Sequence, residues 1–293
     1  MALEVLDRPA WQARQAAHES RVDQWLTPHL RRRDRGLKHP VHDFLFTYYS
    51  LRPGQLRRWQ PGAGVVLLDA DGLGPGYRRQ SGGLILDVGQ LVARRGDSLR
   101  WILDLLRATA ARPPHLGCFG MHEWAMVYEQ SQAEVRHNAW PLRLSPQDTA
   151  AVVRERGVRC SHFDAFRFFT PSARPLNVLQ PTRERQRDLE QPGCLHAGMD
   201  LYKMAYKVGP LASGELVADC FALARDIRAL DMRASPYELA GLGFPPVRVE
   251  TAEGRAEYVA AQRGFAARAA PIRSALIALV GEALDGVGLP GTV

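Results

Sequence analysis

Apolar residues recur at Leu216, Val217, Cys220, Phe221, Ala224 and Ile227 between Glu215 and Arg228. Steps of three and four predict a helix that buries one face. Between about Trp11 and Arg33 the apolar positions are sparser, at Trp11, Val22, Trp25, Leu26 and Leu30. This pattern predicts a surface helix running into the basic patch Arg31, Arg32, Arg33, Arg35 and Lys38. Cations there suit the negative pole of a helix, which accounts for the patch more simply than a DNA contact. Ser145-Pro146-Gln147-Asp148 supplies an N-cap, a proline at the first helical position and an early acid, so a helix is expected as far as Gly157. Ser235-Pro236-Tyr237-Glu238 has the capping-box spacing and predicts a short helix ending near Gly241. Strand character is confined to Val65–Leu68 and Leu84–Leu86, expected to form one small hairpin around the glycine-rich turn Asp71–Gly76. No period repeats along the chain. The expected fold is mainly α with a small β-hairpin element. Either one large helical domain covers 1–293, or two helical halves meet at a boundary near 171–181, where Pro171, Pro175 and Pro181 fall.

The composition, 46% hydrophobic and 24% charged over 293 residues, is that of a globular protein and argues against a disordered or collagen-like chain. A net charge of +7 places acidic partners, DNA above all, among the candidates. Lys38, Lys203 and Lys207 are the only lysines, so the positive charge is almost all arginine, a bias that a GC-rich genome also produces. The cysteines Cys118, Cys160, Cys194 and Cys220 form no CxxC, and the N-terminus lacks the basic and apolar succession of a secretory signal. A reducing, cytoplasmic location is expected. The longest apolar stretch, Ile272–Leu284, carries Arg273 and Glu282 and falls short of the ~20 residues of a membrane span, so no membrane partner is expected.

Chemistry concentrates in four short segments that bring histidines together with acids. They are His39–Asp43, Cys118–Trp124, Cys160–Asp164 and Gly193–Asp200. In the last, helical periodicity puts His196, Asp200, Lys203 and Lys207 on one face. An ammonium, unlike a guanidinium, can lose its proton on burial and act as a base or nucleophile. The same face could instead be a solvated one carrying an Asp200 to Lys203 pair. His162 and Asp164 share a face if their segment is extended and diverge if it is helical, and the surrounding Phe163, Phe166, Phe168 and Phe169 favour an extended or deeply buried stretch. Asp164 is then either an acid ion-paired to Arg159, Arg167 or a histidine, or a catalytic carboxylate in an aromatic pocket. Taken together, His122, Glu123, His162, Asp164 and His196 offer the imidazole and carboxylate ligands of a non-haem iron or zinc site.

The strings His39–Ser50, Cys118–Tyr128, Cys160–Pro171 and Gln191–Lys203 resemble, over nearly the whole chain, a family of actinobacterial proteins named 3-methyladenine DNA glycosylases. Leu284-Asp285-Gly286-Val287-Gly288 mimics the LxGVG turn of helix-hairpin-helix glycosylases but lies at the very end of the chain. The resemblance implies a DNA-repair hydrolase that flips an alkylated purine into an aromatic pocket and cleaves its N-glycosidic bond beside a carboxylate, with no cofactor. On that reading Asp164, Asp200 and Lys203 are catalytic. Tyr48, Tyr49, Trp124, Tyr128, Phe163, Phe166 and Arg167 contact the base and DNA, although such aromatics serve equally well as core. The alternative enzyme is a metal-dependent hydrolase or oxidoreductase acting on a small molecule, with iron or zinc on His122, Glu123, His162 and His196. A basic helical binding protein without chemistry is the third possibility. The resemblance favours the glycosylase; the residues taken alone favour the metal.

Overall fold

A computed structural model describes residues 3–74, 76–80 and 82–286 of the chain. Helix accounts for 56% of the protein, which makes the fold mainly α with one small sheet. The helices are α1 (Arg8–Asp34), α2 (Phe44–Tyr48), α3 (Pro53–Arg57), α4 (Val88–Ala110), α5 (Met121–Ala125) and α6 (Pro146–Arg156). They continue with α7 (Phe163–Phe166), α8 (Gln186–Leu189), α9 (Leu195–Val208), α10 (Gly214–Ala234) and α11 (Ala252–Asp285). The strands are β1 (Glu4–Leu6), β2 (Val65–Leu68), β3 (Tyr77–Gln80) and β4 (Gly83–Leu86).

Helices α9 and α10 form the centre, and α11 lies along α4, α9 and α10. Gly198 on α9 lets the two central helices approach, since a Cβ there would stand 2.8 Å from Ile227 Cδ1. One apolar cluster runs from Val22 on α1 through Trp124, Met199 and Phe221 to Ala283 on α11, drawing on both sides of the proline-marked segment at 171–181. Ala173, within that segment, is itself fully buried. By length and composition α11 is apolar enough to cross a membrane, contrary to the expectation from its charged residues; in this fold it packs as a partly buried helix on its three neighbours.

Ser145 caps α6 by accepting a hydrogen bond from the Asp148 amide, and the helix ends at Gly157, as its turn chemistry requires. The two strands read from sequence do pair, antiparallel, but they do not form a simple hairpin. An extra strand, β3, comes between them in the sequence and pairs with the outer edge of β4, and β1 joins parallel to β2, giving the order β1-β2-β4-β3. Strand β3 is Tyr-Arg-Arg-Gln, so an edge strand with polar side chains left no apolar run to detect.

The helix expected after Ser235 does not form. Ser235 is the C-cap of α10, its hydroxyl donates to Met232 O, and Tyr237 makes a β-bridge to Leu142. Only a 3₁₀ turn follows, at Ala240–Leu242. The capping-box pattern was satisfied by a chain leaving a helix. Val287 and Gly288 of the LxGVG-like string lie outside the described residues.

Candidate metal centre

Three of the four histidine segments converge on the central pair of helices. Gly120, held at φ 71°, turns the chain into α5, and a side chain there would meet Ala234 and Tyr258. The turn places His122 and Glu123, both buried, against α10. His122 Nε2 lies 2.7 Å from Asp231 Oδ1, while Arg228 donates at 2.7 Å to both Asp231 Oδ2 and Glu123 Oε1. Asp231 and Arg228 stand one turn apart on α10, on the side that carries Ile227 into the core.

His162 is the residue before α7, and its side chain is 1% exposed. Its Nε2 lies 3.4 Å from Glu190 Oε1 and 3.4 Å from Asp200 Oδ2, within ion-pair reach of both but long for a good hydrogen bond, and its Nδ1 has no hydrogen-bond partner. Tyr49 Oη donates to Asp200 Oδ1 at 2.9 Å, and Gln186 donates to Glu190 Oε1 at 2.5 Å. Lys203 Nζ reaches Asp200 Oδ2 at 2.6 Å and Asp164 Oδ2 at 2.9 Å. His196, on the first turn of α9, joins the two halves: its ring stacks on His162 at 5.2 Å between centroids and meets His122 edge-on at 4.5 Å.

Two sets of ligand atoms result, His122/His196/Asp231 and His162/Glu190/Asp200, each gathered within 4.8 Å and fully buried. The 3.4 Å separations at His162 suit a cation. Two ligands bound ~2.0–2.2 Å from a tetrahedral ion stand about 3.4 Å apart, whereas a good hydrogen bond is shorter.

The centre is rich in acidic groups, and not every shift favours a metal, since that at His162 runs toward the protonated ring. Glu123, Asp164, Glu190, Asp200 and Asp231 are five carboxylates, against Lys203 and Arg228 inside and Arg167 at the rim. Burial opposes ionisation of Asp200, but Lys203 and His162 outweigh it and hold the carboxyl well below the usual range. Asp231 is likewise depressed, with His122 and Arg228 overcoming burial. Burial pushes the Glu190 and Glu123 carboxyls up. Burial, together with neighbouring histidines, drives His196 well below its ordinary value, leaving the neutral imidazole a metal requires. His162 moves up because Asp200 and Glu190 overcome its burial.

A narrow cavity of about 30 Å³ opens beside this assembly, walled by Phe44, Tyr48, Phe168, Asp164, Arg228 and Tyr237 and reached by His196 and Glu123. The Arg228 guanidinium lies over Phe44 at 4.1 Å, and Arg167 covers Phe168 at 4.3 Å.

The expected site residues divide accordingly. Asp164, Asp200 and Lys203 form one ion-paired group, and His122, His162 and His196 meet within it. Glu123 is beside them but belongs to Arg228 rather than to either ligand set. Of the proposed base-contacting residues, Tyr48 lines the cavity, whereas Tyr49 is spent on Asp200. Trp124 is fully buried core, its indole donating to Ala234 O, and Tyr128 packs in the core with its hydroxyl accepting from Arg154. Phe163 lies under Arg183, Phe166 packs on Phe169, and Arg167 pairs with Asp164.

The face of α9 carrying His196 and Asp200 is buried, correcting the solvated alternative; only Lys207 is exposed. The segment after His162 is a helical turn rather than extended, because Asp164 must turn away to reach Lys203 while His162 points to Asp200. Asp231, Glu190 and Arg228 were missed. The signal for Asp231 was in the sequence: it continues the Ala224 and Ile227 stripe of α10, a position where an apolar residue belongs.

Comparison with protein-family models, with curated proteins and with solved structures finds no match to this chain.

Proposed function

We propose that the protein is a metal-dependent enzyme acting on a small molecule, with iron or zinc held at His162, Glu190 and Asp200 and a second cation at His122, His196 and Asp231, where the metal would have to replace the 2.7 Å hydrogen bond between His122 and Asp231. The observation that carries this reading is His162: a buried imidazole whose Nε2 stands 3.4 Å from each of two carboxylate oxygens, an ion-pair spacing that also fits three ligands around one cation. Two imidazoles and one carboxylate are the ligand set of non-haem iron oxygenases, and adjoining sites are typical of two-metal hydrolases. Bound there, the metal would supply Lewis acidity or redox chemistry at the cavity wall. His196 and Glu123 face that cavity, so a substrate group entering it meets a neutral imidazole and a carboxylate. Arg228 fixes Asp231 and Glu123 together, and Lys203 and Tyr49 orient Asp200, the kind of outer support that tunes metal ligands. Phe44, Tyr48 and Phe168 give the cavity an aromatic wall.

The same aromatic wall beside Asp164 favours the glycosylase as the second reading. It requires the wall to part, since a cavity of about 30 Å³ does not admit a purine as it stands. One assay separates the two: alkylated duplex DNA is incubated with chelator-treated protein and with protein resupplied with Fe(II) or Zn(II). The metal enzyme releases no free 3-methyladenine in either case. Release that survives chelation and is lost in Asp164→Asn replaces the metal reading with the glycosylase.

A further inference from the structure

A wider cavity lies away from the aromatic pocket. It measures about 490 Å³ and sits between the end of α4, the loop after it, Pro192 and the middle of α11. Arg112, Arg263 and Arg273 contribute three guanidinium groups to its wall, and no acid lines it. The floor along α11 is Ala266, Ala267 and Ala270, small side chains that leave room beside the arginines.

Arg273 is the decisive residue. It is 2% exposed, yet its Nε and Nη2 have no hydrogen-bond partner, and no carboxylate stands within ion-pair distance of it among the described residues. Glu190 acts on it only from farther away. A buried guanidinium is ordinarily paired, because leaving one alone forfeits its hydration with nothing in return. Arg112 is already partly fixed, donating at 2.8 Å to Glu190 O, which holds one wall of the cavity in place. Ser274 adds a hydroxyl next to Arg273.

We infer that this cavity is a binding site for a phosphate-class oxyanion, the phosphoryl group of a small molecule, which compensates the unpaired charge of Arg273 in its wall and is flanked by Arg263 and Arg112. Arginine suits this task because its planar fork donates two parallel hydrogen bonds to tetrahedral or planar oxyanions. Glu190 touches the site only through its backbone carbonyl, which accepts from Arg112, and Arg273 also borders a small cavity beside Glu190 and Asp200. No side chain of the metal ligands or the aromatic pocket lines the site, so it stands whether or not the enzyme reading above holds.

The test is isothermal titration of the purified full-length chain with inorganic phosphate at low ionic strength, beside Arg273→Met and Arg263→Gln. Wild type is expected to bind one phosphate per chain. Arg273→Met should weaken binding at least about tenfold, the effect of losing one charge-assisted contact of about 1.4 kcal/mol or more. Arg263→Gln, at an exposed position that leaves folding intact, should weaken it several-fold. A titration with methyl phosphate and with acetate distinguishes a phosphoryl site from a general carboxylate site, and phosphate-class ligands are expected to win. Equal binding by wild type and Arg263→Gln, preference for acetate, or no phosphate binding to wild type overturns the inference. Since Arg273→Met replaces an unpaired buried charge with an apolar side chain, circular dichroism should show it folded and as stable as wild type or more so.

Discussion

Replacing Lys203 by Met removes the only ammonium in the candidate centre and keeps most of the side-chain volume. Lys203 Nζ bridges Asp200 Oδ2 at 2.6 Å and Asp164 Oδ2 at 2.9 Å, and the Asp200 side chain is 4% exposed. After the substitution Asp200 keeps the Tyr49 hydroxyl and the His162 ring at 3.4 Å, while Asp164 retains Arg167 at 3.3 Å. Breaking a buried pair from one side costs about 3–5 kcal/mol, and the surviving Arg167 contact argues for the lower end, about 3 kcal/mol. At this chain length about 2 °C per kcal/mol is expected, so the melting temperature should fall by about 6 °C at neutral pH. The deficit also has a pH signature. Asp200 is depressed in the folded protein, so its contribution is fully present above the unfolded value of about 3.9 and is lost as pH falls through the folded one. Wild type and variant should therefore differ most near neutrality and converge in acid. Thermal melts followed by circular dichroism, metal-free, at several pH values measure this. A variant melting within about 1 °C of wild type at pH 7 would mean that the buried bridge contributes nothing net and that the electrostatic account of the centre is wrong.

Metal-free and metal-loaded protein should respond to pH in opposite ways. His162 is raised by Asp200 and Glu190, so in the metal-free protein its contribution is present below about 6.5 and fades as pH rises through the folded value. Metal needs the neutral ring, so stabilisation by Zn(II) should grow over the same range; parallel trends in melts with and without zinc would contradict this. Gly120→Ala should lose about 1–2 kcal/mol from the left-handed backbone alone, with further loss from crowding against Ala234, and denaturant midpoints would show it. Ser145→Ala removes the cap of α6 and should cost about 1 kcal/mol in the same assay, without touching metal content.

The helices with strong local chemistry were legible in the sequence. The α6 boundaries follow from Ser145, Pro146 and Gly157, and the apolar stripe of α10 predicted its buried face. What failed depended on partners far along the chain. Strand β3 has no apolar pattern of its own and exists because β4 offers it an edge. Ser235 read as a helix start because side-chain spacing alone does not say whether a serine opens the next helix or closes the last. The histidines of the centre were visible as clusters beside acids, but their grouping was not. His122 and Asp231 are 109 positions apart, and only the packing of α5 on α10 brings them to 2.7 Å. Trp124 and Tyr128 misled because an aromatic beside a reactive histidine is indistinguishable, in sequence, from one that simply fills the core.

The most direct test of the central claim is the metal content of the protein purified without a histidine tag, by mass spectrometry of the elements, for wild type beside His122→Ala, His162→Ala and His196→Ala. The account predicts iron or zinc at about one to two equivalents per chain in wild type, and a marked loss in each variant while circular dichroism shows the helical fold retained. Less than about a tenth of an equivalent in wild type, unchanged after incubation with Fe(II) or Zn(II), would contradict it and leave the buried histidines and acids as a structural ion-pair network.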